Sequence, residues 1–161
     1  MRFFKATLGA LLALVLGLVL LFGIARWLDG PIGFIPGGPL VSGERIDAPV
    51  SDWQFVAPID EVEMQLLGED TSRTTWIVAD QGQAYIPASL SFPPGKTWHQ
   101  RADQQGEALV RIDEKIYPVE LTREKDETIR DRLKTAARTK YEVEAVSGDG
   151  VWFFRLDPPS S

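Results

Sequence analysis

Residues 73–89 read "RTTWIVADQGQAYIPAS". Two runs rich in β-branched, aromatic and small residues, "TTWIVA" (74–79) and "QAYIPA" (83–88), flank "DQG", a turn signal, and predict a β-hairpin. Further along, "ALVRI" (108–112) and "KIYPVELT" (115–122) flank "DE" and predict a second hairpin. Pro118 predicts that this last strand is an edge or carries a bulge. Upstream, "EVEMQL" (61–66) alternates, with Val62, Met64 and Leu66 on one face, and "DWQFV" (52–56) is a further candidate. Downstream, Ile129, Leu133, Ala136 and Ala137 recur at helical spacing and predict a helix over 124–139, with Thr122 as its cap. "YEVEAV" (141–146) and "VWFFRL" (151–156) complete the strands. Six to eight strands with one amphipathic helix predict a mainly β fold, a small antiparallel barrel with a helix packed against it.

Composition removes several functions. The 161 residues include no cysteine and no asparagine, and the only histidine is His99. Disulfides, thiolate metal sites, Cys nucleophiles and N-glycosylation are excluded. Of the 17 basic residues, Arg2, Lys5 and Arg26 flank the N-terminal apolar run, and all 23 acidic residues lie at Asp29 or later. From Trp27 onward 14 basic residues face 23 acidic ones, a net charge of −9. Such a domain repels polyanions, so nucleic acid is not an expected partner.

"ATLGALLALVLGLVLLFGIA" (6–25) is a run of twenty uncharged residues. A helix of that length spans about 30 Å, the thickness of the bilayer hydrocarbon. The expectation is a single transmembrane helix, with Trp27 at headgroup level. A cleaved signal peptide is the competing reading, but its apolar region is usually shorter, about 7–15 residues. Arg2 and Lys5 before the run place the N-terminus in the cytoplasm and the domain outside, at a bacterial inner membrane. The expected organisation is an anchor (1–29), a Gly/Pro-rich collar (30–43), a barrel domain (44–157) and a tail (158–161). In the collar, "GPIGFIPGGPLVSG" stops the helix. Ile32, Phe34, Ile35 and Leu40 suggest a packed collar rather than a solvated linker.

Segment 89–107 is read as a long irregular loop, and it gathers Lys96, Trp98, His99 and Arg101 in an acidic domain. "GKT" (95–97) resembles the end of a phosphate-binding loop, but Leu90 stands where that motif needs glycine. Glu61, Glu63, Glu69 and Asp70 read as the wet side of a strand and its end rather than as a cation site. His99 reads as a solvated loop residue, and Trp53, Trp76 and Trp152 as core.

The succession "RTTWIVADQGQAYIPAS", "GKTW" and "ALVRIDEKIYPVELTR" resembles the FMN-binding split-barrel superfamily, which includes pyridoxamine-phosphate-oxidase-like proteins. The collar after a single anchor is similar to a membrane-anchored bacterial branch. The resemblance implies a split barrel that forms a homodimer with FMN, F420 or haem at the subunit interface. It implies that Arg73, Thr74 or Thr75, and Lys96 hold a flavin phosphate. "DQQGEA" (103–108) stands where the pattern has an Asn-Pro-like segment. Two readings therefore follow. One is a membrane-anchored, cofactor-free binding or assembly module, with a membrane-protein partner. The other is a flavin-type oxidoreductase-like protein. No catalytic residue and no metal ligand is assigned.

Overall fold

The computed structural model describes residues 2–142 and 150–159, with side chains from Leu11 onward. The elements are α1 (Arg2–Ala25), β1 (Glu44–Arg45), β2 (Glu61–Leu66), β3 (Ser72–Trp76), β4 (Val78–Asp80) and β5 (Gln83–Ser89). They continue with α2 (Trp98–Gln104), β6 (Glu107–Ile112), β7 (Lys115–Arg123), α3 (Glu127–Tyr141) and β8 (Val151–Asp157). The sheet order is β3-β2-β6-β7-β8-β5-β4, and β1 pairs with β7. Every pair along that order is antiparallel, while β1 lies parallel to β7.

The ends of this order, β3 and β4, are separated in the chain by Ile77 alone. One run of residues therefore pairs first with β2 and then, after Ile77, with β5. The sheet curls until its two edges belong to the same stretch of chain. The expected strand 74–79 is thus two strands with different partners. At the switch, Ile77 is fully buried, and its polar backbone cannot join either ladder. The end of α3 supplies partners. The Tyr141 hydroxyl accepts a hydrogen bond from the Ile77 amide at 2.9 Å, and lies 2.7 Å from the carbonyls of Ile77 and Asp60. Lys140 Nζ donates to the Ile77 carbonyl at 2.9 Å and to the Ile59 carbonyl. Tyr141 also stacks on Trp76, with centroids 4.2 Å apart.

Both expected hairpins form. Their tips, Gln81-Gly82 and Asp113-Glu114, have positive φ at both residues, as two-residue turns between twisted strands require. Pro118 corrects an expectation, because β7 is an interior strand. Leu121 N donates to Gly106 O at 2.8 Å, so the bonded pairs alternate and Pro118 faces Leu109 in a non-bonded pair. Its ring nitrogen turns to the other side, where pairing with β1 ends at Ile116 and pairing with β8 begins at Glu120. The missing donor falls in that gap.

Other expectations are corrected as well. Residues 52–56 are not a strand, because Gln54–Val56 form a 3-10 turn. Thr122 lies in β7, and Asp126 caps α3 instead, its carboxylate accepting from Ile129 N at 3.0 Å. The expected strand 141–146 begins on the last residue of α3, and 143–146 lie outside the described residues. The segment 89–107 contains a second helix, α2.

Two apolar clusters result. Val62, Met64, Leu66, Ile86, Val110 and Phe154 fill the inside of the curl, and Trp98 and Ala102 of α2 pack against them. Leu133 and Ala137 of α3 cover Val78, Tyr85 and Phe153 on the outside. Trp53 is buried as expected, whereas Trp76 and Trp152 are half-buried.

Among the described residues no helix is long and apolar enough to cross a membrane. The helix end is tied to the collar, where Gly38 N bonds to the carbonyls of Ala25 at 3.1 Å and Leu28 at 3.0 Å. Gly37 exchanges backbone bonds with Ser72 of β3. A Cβ on Gly37 would overlap the Gly30 backbone carbonyl. Gly37→Ala is therefore expected to displace the collar, and amide exchange at Gly37 and Ser72 should accelerate. Unchanged protection there would show that the collar tolerates the extra carbon.

Candidate functional site

The strand register decides which of the expected ligand-holding residues share a face. Arg73 and Thr75 pair with Met64 and Val62, whose side chains lie inside the curl. Alternation places Arg73 and Thr75 on that inner face and Thr74 on the outer one. Thr74 Oγ1 donates to the Gly33 carbonyl of the collar at 2.6 Å, on the side of Glu63. The four residues are therefore not one set.

Arg73 and Lys96 both approach the Trp98 ring. The Arg73 guanidinium carbon lies 5.7 Å from the Trp98 ring centroid, and Lys96 Nζ lies 5.8 Å from it. Cations over an indole face are attracted by its quadrupole. Glu69 pairs with Arg73 and, at 3.1 Å, with Arg101 Nε. One carboxylate thus pairs with two guanidinium groups, and Lys96 adds a third cation beside Trp98, in a domain that is otherwise strongly acidic. Among the described residues Lys96 has no carboxylate partner. Arg73 Nε and His99 Nδ1 are buried without a hydrogen-bond partner.

The electrostatics follow from this crowding. Burial, then the Arg73 charge, push the Lys96 ammonium down to about 8. Burial, then Lys96, lower His99. Burial also lowers Arg73, with Glu69 opposing and Arg101 adding to the shift. Each of the three would gain from a negative charge placed among them. His99 is buried at the α2 end, edge-on to Trp152 at 5.3 Å, rather than solvated in a loop. Its place on a short helix was hidden because Pro93, Pro94 and Gly95 dominate the preceding stretch. Trp98, Glu69 and Arg101 complete the corner. "GKTW" contained the first of them, but nothing in the spacing indicated the Glu69 partnership.

A second polar assembly joins collar and sheet. Arg111 Nη1 reaches Asp29 Oδ1 at 3.0 Å and the Ser42 carbonyl at 3.1 Å, and Arg111 Nε pairs with Glu63. Asp29 also accepts from the amides of Val41 at 2.7 Å and Ser42 at 3.0 Å. Asp29, Ser42, Glu63 and Arg111 line a groove of about 960 Å³ with Pro31 and Glu61. Burial raises the Asp29 carboxyl, but bonds from the Ser42 hydroxyl, the Val41 and Ser42 amides and Arg111 outweigh it and hold it at about 2. A depressed carboxyl contributes stability above its unfolded value of 3.8, and that contribution is lost as pH falls through about 2. The Val41 and Ser42 amide shifts should inflect near pH 2. An inflection near the ordinary value of 3.8 would show that Asp29 is not held this way. Among the described residues no group of acidic or histidine side chains is placed to hold a metal ion.

The chain is thus a curled antiparallel sheet with a cationic, indole-floored corner. Residues 54–151 match the family described as "Uncharacterized protein conserved in bacteria (DUF2255)", and the chain belongs to that family. No curated protein matches it. Among solved structures it is similar to a putative pyridoxamine 5'-phosphate oxidase from Listeria innocua, at 14% identity and a TM-score of 0.48, over 62% of this chain and 83% of that one. It is also similar to a NimC/NimA family protein from Clostridium acetobutylicum, at 12% identity and a TM-score of 0.48, over 65% of this chain and 75% of that one. Likeness at this level assigns neither ligand nor activity here.

Proposed function

We propose that this chain is a membrane-anchored split barrel of the bacterial envelope that works as a cofactor-free binding module, taking an anionic ligand at the Arg73–Lys96–Trp98 corner. The observation that carries the reading is the convergence of Arg73 and Lys96 on one indole ring, with Glu69 offsetting only part of the charge. The anchor is α1. The apolar side chains from Leu11 to Ile24 are exposed around the helix, which suits lipid rather than water. The N-in orientation puts the barrel outside the cytoplasm. A C-terminal alkaline phosphatase fusion should be active and a green fluorescent protein fusion dark. The reverse pattern would place the barrel in the cytoplasm. A homodimer and a membrane-protein partner belong to the same reading.

A flavin (FMN or F420) is the second reading. The free ammonium of Lys96, the orphan Arg73 Nε and the Trp98 face suit a phosphate beside a flat ring. Thr74 on the opposite face and Glu69 against Arg73 do not. A bound flavin would supply hydride or electron transfer, while the chain's residues would hold its phosphate. Titrating the full chain in detergent with pyrophosphate, FMN and riboflavin, followed by tryptophan emission, separates the readings. Binding of pyrophosphate and FMN but not riboflavin is the expected result. FMN bound much more tightly than pyrophosphate, with riboflavin bound more weakly than FMN, would favour the flavin reading, and binding of none would overturn both.

A further inference from the structure

The collar exposes large apolar side chains where the acidic sheet does not. Trp27 is 91%, Phe34 94% and Val41 77% exposed, while Ala25 and Leu40 beside them are buried. They are held together by backbone bonds. Gly38 N ties Ala25 to Leu28, Asp29 holds Val41 N, and Ile32 and Ile35 exchange two bonds of 3.0 Å around the Gly33–Phe34 tip. Thr74 and Ser72 then fix this unit to β3, and Arg111 fixes it to β2 and β6.

We infer that the collar is itself a membrane-contact surface, with Trp27, Phe34 and Val41 seated in the lipid headgroup layer so that the sheet is held at a set position above the bilayer. This rests on the reading of α1 as an anchor. The occupant is lipid rather than a second copy of the chain. The apolar surface of α1 runs all round the helix and continues directly into Trp27 and Leu28. A second helix would cover one stripe of that surface, whereas lipid covers all of it. An exposed indole just past a membrane run, beside Arg26, suits the headgroup layer. The sheet, with its excess of carboxylates, is repelled by anionic headgroups, which leaves the uncharged collar as the surface suited to touch them.

The test uses the full chain in phosphatidylcholine–phosphatidylglycerol vesicles, with and without lipid brominated near the carboxyl end of the acyl chain. Trp27→Phe reports Trp27 by difference, and Phe34→Trp in that background reports position 34. Both side chains are exposed, so neither change disturbs packing. The expected result is that the emission contributed at positions 27 and 34 is lost in brominated lipid, while the chain resists alkaline carbonate extraction. Carbonate resistance with unquenched emission at both positions would overturn the collar inference and leave the anchor standing. Release by carbonate would overturn the anchor and the collar with it.

Discussion

Tyr141→Phe is expected to lower the unfolding free energy by about 1–3 kcal/mol, the cost of leaving a buried backbone donor without a partner. Among the described residues the phenol is the only acceptor the Ile77 amide has, because Ile77 sits between two ladders and belongs to neither. The substitution keeps the ring on Trp76 and removes one oxygen, so the effect isolates the hydroxyl. Lys140 still serves the Ile77 carbonyl, which confines the loss mainly to the amide. Urea unfolding should show a lower midpoint with an unchanged slope. Exchange of the Ile77 amide should rise first. A midpoint equal to wild type would mean that the strand switch is held by packing alone. Lys140→Met should add a separate loss, because the Ile59 and Ile77 carbonyls then share no ammonium.

Lys96→Met and Arg73→Met are expected to weaken pyrophosphate binding by roughly 10- to 150-fold each. That range corresponds to one charge-assisted hydrogen bond of about 1.5–3 kcal/mol. Lys96 is the cleaner test, since Arg73→Met also strips Glu69 of a partner. The pH dependence has a definite sign. Lys96 loses its charge as pH rises through about 8, so wild-type affinity should fall over that interval. Lys96→Met should bind weakly and without the fall. If both variants bind as wild type does, the ligand lies elsewhere.

Much of the sheet was legible because its signals are local. "EVEMQL" matches β2 residue for residue, and the "DQG" and "DE" turns match the two hairpin tips. The misreadings have a common cause in long-range geometry. Nothing near Ile77 announces that the strand changes partner there. The device that permits it, Tyr141, is 64 residues away. Pro118 reads as an edge or a bulge because local sequence does not disclose that β1 and β8 divide the neighbouring edge between them. At the candidate site, Arg73 and Lys96 were accessible to sequence because they stand next to recognisable strand and loop signals. The resemblance offers Thr74 or Thr75 beside Arg73 without choosing between them, whereas successive strand residues face opposite ways and the register puts Thr75 on the Arg73 side. The partnership of Glu69 with Arg101 depends on α2, which sequence reading renders as loop.

The most direct measurement of the central claim is the titration of Lys96 itself. With lysine carbon-13 labelling, the Lys96 Cε resonance, assigned by Lys96→Met, reports its ionisation. Without ligand it should titrate at about 8, below the ordinary value of 10.5. With saturating pyrophosphate the midpoint should move upward, because an anion beside the ammonium favours its charged form. An unshifted midpoint under conditions where pyrophosphate is bound would contradict the assignment of the anion to the Arg73–Lys96–Trp98 corner.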